Sequence, residues 1–151
     1  MVKGFHHVGV ICEDIEQSKK FFTDVLGGKL LYDAGTTPPG YLDERVGIPG
    51  AITKKAVVKM GGSVIELVEY LHPKIKIKGL SAAGIGTLHL AIEVDDIDSE
   101  VEKLRKKGVK FNSPPTLIKK GPDEGWVWCY FNSPDGHQLE LVENRNLKIP
   151  L

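Results

Sequence analysis

"HVGVICEDIEQSKKFF" (7–22) and "HLAIEVDDIDSEVEKL" (89–104) are two versions of one segment, set 82 positions apart. Each opens on a histidine, runs through apolar residues suited to a strand, reaches an acidic pair and turns to helical periodicity. The acidic pairs are Glu13-Asp14 and Asp95-Asp96. Asp14 and Asp96 are good helix N-caps, because a short carboxylate satisfies the unpaired N–H groups of a first turn. Ile15, Ser18, Phe22 and Val25 would share one face of the first helix, and Ile97, Val101 and Leu104 one face of the second. Gly27-Gly28 and Gly108 supply the stops.

A second match follows. "GGSVIELVE" (61–69) sets against "DGHQLELVE" (135–143) at an offset of 74, aligning Gly62 with Gly136, Glu66 with Glu140 and Glu69 with Glu143. The two offsets differ because the first half has a longer middle, "AGTTPPGYLDERVGIPGAITKK" (34–55), whose Gly, Pro and Thr content reads as a long loop or lid. Strands are expected at 4–12, 29–34, 54–60, 62–70, 86–94, 109–112, 125–131 and 137–143. The chain, 1–151, reads as a single domain of two modules, about 4–70 and 86–143, with a linker at 71–85 and a tail at 144–151. Neither half is expected to close a core alone, so the two sheets should combine into one curved unit.

The match also separates the adjacent histidines of "GFHHVGVICEDI" (4–15). Neighbouring side chains on a strand point to opposite faces. His89 follows Leu88, so its counterpart is His7, and His6 is expected on the other face. Glu66 and Glu140 sit mid-strand in "VIELV" and "QLELV", where a carboxylate is costly to bury without a partner. Glu69 and Glu143, three positions on, are expected to face the opposite way and reach solvent. Two histidines and two carboxylates suit one borderline divalent ion (Zn, Ni, Co, Mn or Fe), with room left for water or substrate oxygens. The plain alternative is a degenerate pocket in which the four residues pair with each other.

Bulk properties exclude several classes. Twenty basic and 20 acidic residues give zero net charge, which removes the electrostatic attraction that dominates nucleic-acid binding. Lys54-Lys55, Lys106-Lys107 and Lys119-Lys120 read as solvated faces. No stretch approaches the roughly 20 apolar residues of a membrane helix, and "MVKGFHHVGV" is unlike a secretory signal. Cys12 and Cys129 match no metal-finger spacing and read as buried thiols in a reducing compartment, with a single bridge left open. A cytoplasmic protein with a small-molecule partner, and no nucleic acid or membrane, is expected.

The segments "HHVGV", "SVIELVEY", "LHLAIEVDDID" and "NSPDGHQLELVE" resemble the vicinal oxygen chelate superfamily (glyoxalase/bleomycin resistance protein/dioxygenase) over residues 5–143. That resemblance implies an α+β fold of two βαβββ modules forming a cupped mixed sheet around a central metal. The family's ligand positions fall on His7, Glu66, His89 and Glu140. Its enzymes chelate vicinal substrate oxygens on a metal that acts as a Lewis acid. Glu at position 66 suits glyoxalase I-like and epimerase members better than dioxygenases, where this position is usually not a ligand. The arginine that glutathione-dependent members present early in the chain is absent, and methylmalonyl-CoA epimerases commonly carry Gln where Glu66 stands.

The resemblance therefore implies a metal-dependent isomerase, epimerase or lyase. Glu66 and Glu140 would remove and return a proton through an enediolate-like intermediate. The alternatives are an extradiol-type iron dioxygenase and a metal-free small-molecule binding or resistance protein. A homodimer is implied as well. "PPGYLDERVGIPGA" (38–51) and "PPTLIKKGPDEGW" (114–126) would border the pocket, with Tyr41 and Arg45 meeting the substrate and Trp126, Trp128 and Tyr130 as walls. For each aromatic singly, packing on a sheet face is the simpler reading. His72, before a proline, and His137, in a turn, read as surface or supporting residues.

Overall fold

At Asp14 and again at Asp96 an extended run turns into a helix by the same device. Asp14 Oδ1 accepts the N–H groups of Glu16 and Gln17 at 2.9 and 3.0 Å, and Asp96 Oδ1 accepts that of Ser99 at 3.0 Å. The computed structural model describes residues 1–76 and 81–146. The chain divides into two compact units, Met1–Lys78 and Gly79–Leu151. The first runs β1 (Val8–Cys12), α1 (Ile15–Lys20), β2 (Lys29–Thr36), α2 (Asp43–Val46), β3 (Ile52–Met60) and β4 (Ser63–His72). The second runs β5 (His89–Glu93), α3 (Ile97–Lys106), β6 (Thr116–Leu117), β7 (Trp126–Asn132) and β8 (Gln138–Asn144).

Each unit is one four-stranded mixed sheet, ordered β1-β4-β3-β2 in the first and β5-β8-β7-β6 in the second. The opening strand is parallel to the closing one, and the rest pair antiparallel. The fold is α+β. In the first unit Val10, Cys12, Ala56, Val58, Ile65 and Leu67 are buried on the face that receives α1, where Ile15, Ser18 and Phe22 are buried in turn. In the second, Val127, Cys129, Phe131, Leu139 and Leu141 do the same with Ile97, Val101 and Leu104 of α3. Both cysteines are buried thiols outside any disulfide.

Several local expectations are corrected. The first helix continues as a π turn, Phe21–Val25. The wider turn brings Phe21 inward beside Phe22, with their rings edge to face at 5.4 Å. Gly28 then closes the element by necessity of space, because a Cβ there would stand 2.7 Å from both Phe22 O and Val58 Cγ1. The long middle of the first half is not all loop: β2 runs to Thr36 and α2 forms one turn, stopped by Gly47 in the left-handed region.

In the second unit Phe111 makes only an isolated bridge to Phe131, and the edge strand is β6 instead. Pro114 and Pro115 lack N–H groups and interrupt any ladder between the two. Leu71 and His72 belong to β4 and Asn144 to β8. Residues 77–80 of the expected linker and 147–151 of the expected tail lie outside the described residues.

Glu69 and Glu143 do not reach solvent as expected. Glu69 is buried, and its Oε2 accepts the N–H of Ile15 at 3.2 Å. Glu143 Oε2 accepts that of Ile97 at 3.0 Å. In both units the closing strand thus supplies a carboxylate to the first N–H of the helix, a group that helical geometry leaves unpaired. Among the described residues no helix is long and apolar enough to cross a membrane.

Candidate functional site

The face of each sheet opposite its helix carries one histidine–glutamate pair. In the first unit β1 and β4 align Gly9 with Glu66, and β3 aligns Val57 with Glu66, so these three positions share a face. His7 lies two residues before Gly9 and reaches the same carboxylate: its Nε2 is 3.0 Å from Glu66 Oε2. In the second unit β8 aligns Glu140 with Ala91 and Tyr130. His89, two residues before Ala91, places its Nε2 3.2 Å from Glu140 Oε2. The same histidine-to-carboxylate pair therefore occurs twice, at matching register. The carboxylates are the better covered partners, at 17% and 6% side-chain exposure, whereas His7 and His89 are 40% and 51% exposed.

The surroundings of the two pairs differ. Glu66 has a second partner, Lys55, which reads as a solvated charge in the sequence: its Nζ lies 2.6 Å from Glu66 Oε1. Lys55 aligns with Val68, one diagonal step from Glu66, a distance that a long side chain spans. That carboxylate, beside the ammonium, holds the Lys55 pKa above its usual value against the smaller opposing effect of burial. The phenols of Tyr32 and Tyr41 act in the same direction. Glu140 instead has Tyr130 as its cross-strand neighbour. Burial first, then the charge of Glu140, pushes the Tyr130 phenol above the usual tyrosine range. The ring of Tyr130 also meets that of His89 edge to face at 5.8 Å.

Trp126, Trp128 and Tyr130 alternate along β7 on the same face as Glu140, half-buried between the fully buried Val127, Cys129 and Phe131. The indole N–H of Trp126 is buried and has no partner among the described residues. In the first unit Arg45 stacks over Tyr41, 4.9 Å from the ring centre, and donates to the Tyr41 carbonyl. Its guanidinium is turned to its own loop.

His6 departs from expectation. Rather than facing away from His7, it holds its Nδ1 2.9 Å from His7 Nδ1, with the rings edge to face. Strand pairing begins only at Val8, so no ladder imposes alternation on the residues before it.

Two ligands about 2.1 Å from one ion and 90–110° apart stand roughly 3.0–3.4 Å from each other. The observed separations of 3.0 and 3.2 Å fit that spacing, and imidazole nitrogen with carboxylate oxygen suits a borderline divalent ion. Each unit holds one such nitrogen–oxygen pair. Within either unit, the described residues gather no group of three or more His, Cys, Asp or Glu side chains able to hold an ion.

Two sheets of this topology, each presenting a histidine and a glutamate on the face away from its helix, define a repeated-module α+β protein with the same His–Glu pair in each module. The chain matches the family model described as the Glyoxalase/Bleomycin resistance protein/Dioxygenase superfamily over residues 4–141, and it belongs to that superfamily. It is 34% identical over 141 residues to a 2-epi-5-epi-valiolone epimerase of Actinomyces sp, covering 91% of this chain and 77% of that protein. In structure it is similar to a glyoxalase family protein of Bacillus cereus, with a TM-score of 0.78, 20% identity and 95% of each chain covered. It is also similar to the fosfomycin resistance protein FosX of Listeria monocytogenes in complex with Mn(II) and a sulfate ion. There the TM-score is 0.65 at 17% identity, covering 98% of this chain and 97% of that one.

Proposed function

We propose that the protein is a metal-dependent isomerase, epimerase or lyase for a small molecule with vicinal oxygens, with His7, Glu66, His89 and Glu140 as the ligands of one divalent ion. The observation that carries this reading is the recurrence of one His–Glu pair, at 3.0 and 3.2 Å, at matching register in both units. When bound, the ion supplies Lewis-acid polarisation of a substrate carbonyl. The carboxylates of Glu66 and Glu140 do the proton work: one takes a proton from the carbon next to that carbonyl and the other returns one. His7 and His89 would supply the two nitrogen donors through Nε2, the atoms that face those carboxylates. Trp126 offers its N–H to a substrate oxygen, and Trp128 and Tyr130 serve as apolar walls for the substrate. Tyr41 meets the substrate from the loop that carries Arg45.

The likeness to an epimerase supports proton removal and return at carbon, and the reading includes a cytoplasmic homodimer. Its test is the metal content of the purified protein by plasma mass spectrometry, joined to deuterium uptake from heavy water by α-hydroxyketones. About one divalent ion per chain, lost in His7→Ala and His89→Ala, together with uptake that disappears in Glu66→Gln, is expected. Iron with oxygen consumption on catechols would move the assignment to a dioxygenase. Protein that stays metal-free after reconstitution would move it to a binding protein.

A further inference from the structure

The two half-sites match in histidine and carboxylate but not in the position beside them. Val68 and Val142 are equivalent in the repeat, and their cross-strand partners are Lys55 and Trp128. The first unit therefore places an ammonium where the second places an indole. Lys55 Nζ takes Glu66 Oε1 at 2.6 Å while His7 Nε2 takes Oε2 at 3.0 Å. Both oxygens of Glu66 are held, each by a different group. Beside Glu140 stand His89 and its cross-strand neighbour Tyr130, and neither brings a fixed positive charge.

We propose that Lys55 is a positioning residue that makes Glu66 the displaceable carboxylate of the site and leaves Glu140 the anchored one. This rests on the reading of the four residues as ligands of one ion. An ammonium on Oε1 limits Glu66 to a single oxygen toward a cation and offsets part of its charge. A second positive charge near the ion also weakens the hold of this ligand by repulsion. Glu66 keeps a place to rest on Lys55 when a substrate oxygen takes its coordination position, and from there it is free to act on the substrate. Glu140 is well buried and gains nothing comparable by leaving. The repeat thus supplies two equivalent carboxylates, and one cross-strand position separates their tasks.

The test uses Co(II) as the probe, added to metal-free wild-type protein and to Lys55→Met, Lys55→Gln, Lys55→Arg and His7→Ala. Affinity is read by competition with a chromophoric chelator, and coordination by the visible absorption of the ion. Removing a like charge a few ångströms from the ion, in water-like surroundings, is worth about tenfold. Lys55→Met and Lys55→Gln should therefore bind Co(II) about tenfold more tightly. They should also show a weaker visible band, as Glu66 adds its second oxygen and the coordination number rises. Lys55→Arg keeps the charge and should stay within about threefold of wild type. His7-dependent binding with an unchanged affinity and spectrum in both neutral variants overturns the role of Lys55 alone. Wild-type protein that takes up no Co(II), or takes it up equally well in His7→Ala, overturns the ligand assignment and this inference with it.

Discussion

Glu69 accepts the N–H of Ile15 across 54 residues of chain, at 3.2 Å. That bond fastens the closing strand of the first unit to the start of its helix. The carboxylate is buried and also receives Lys74 Nζ at 3.3 Å, so its loss would strip the Ile15 amide of its acceptor and leave Lys74 with the Glu13 carbonyl alone. Glu69→Ala should destabilise the protein by about 1–3 kcal/mol, read as a lowered urea midpoint with unchanged slope. An unchanged midpoint would show that water replaces the carboxylate without cost.

Acid should act through the matching residue. Arg145 beside Glu143, and then the Ile97 N–H, hold this carboxyl below its ordinary value of 4.5. The Ser99 and Gln17 N–H groups lower Asp96 and Asp14 in the same way. A carboxyl lowered by folding stabilises the folded state at pH above its unfolded value, and that contribution is lost as pH falls through the folded value. Stability should hold from pH 7 to about 4.5 and fall below it. Glu143→Gln should shift that fall to a shallower slope in urea titrations at pH 5, 4 and 3. Parallel curves for the two proteins would contradict the linkage.

Gly28 offers a steric test of the π turn. Its Cβ would meet Met60 Sδ at 2.5 Å, a flexible neighbour, but also Phe22 O and Val58 Cγ1 at 2.7 Å, which are not. Gly28→Ala should cost about 1–3 kcal/mol by overpacking, whereas Gly27→Asn, at a positive φ of 79° with open space around it, should cost less than about 1 kcal/mol. Thermal melts of the two variants decide it; equal losses would refute the steric account.

Cys129 should be chemically silent. It is fully buried, and burial pushes its thiol up to about 11. At pH 8 the native protein should leave Cys129 unmodified by iodoacetamide over hours, and modify it rapidly in denaturant. Mass mapping of the alkylated peptide reads this directly, and native labelling would show that the second unit opens readily.

Much of this architecture was legible because the two halves check each other. His7, rather than His6, follows from aligning Leu88-His89 with His6-His7, and Asp14 and Asp96 mark both helix starts through the chemistry of capping. Fold and family agree with that reading. What escaped it depends on register or on distant partners. Lys55 reads as a surface charge until β3 is aligned on β4, after which it stands diagonally across from Glu66. Glu69 and Glu143 have the right face but the wrong environment in a strand-by-strand reading, because their partners are backbone amides 54 and 46 residues away. The π turn leaves no mark in residue periodicity beyond two adjacent phenylalanines.

The pairing of first strand with last has a consequence during synthesis. Val8 has no partner until Ile65 has been added, and His89 none until Gln138. At roughly 5–20 residues per second, the ribosome takes about 3–12 s to supply the missing strand of the first sheet. For that interval Val8–Cys12 is a nascent strand with two open edges, and Val10 and Cys12, which end up buried, face solvent. Elongation speed through residues 12–63 therefore sets how long each new chain can pair with its neighbours on the same message, and a message that stalls there should yield aggregates rather than a folded half.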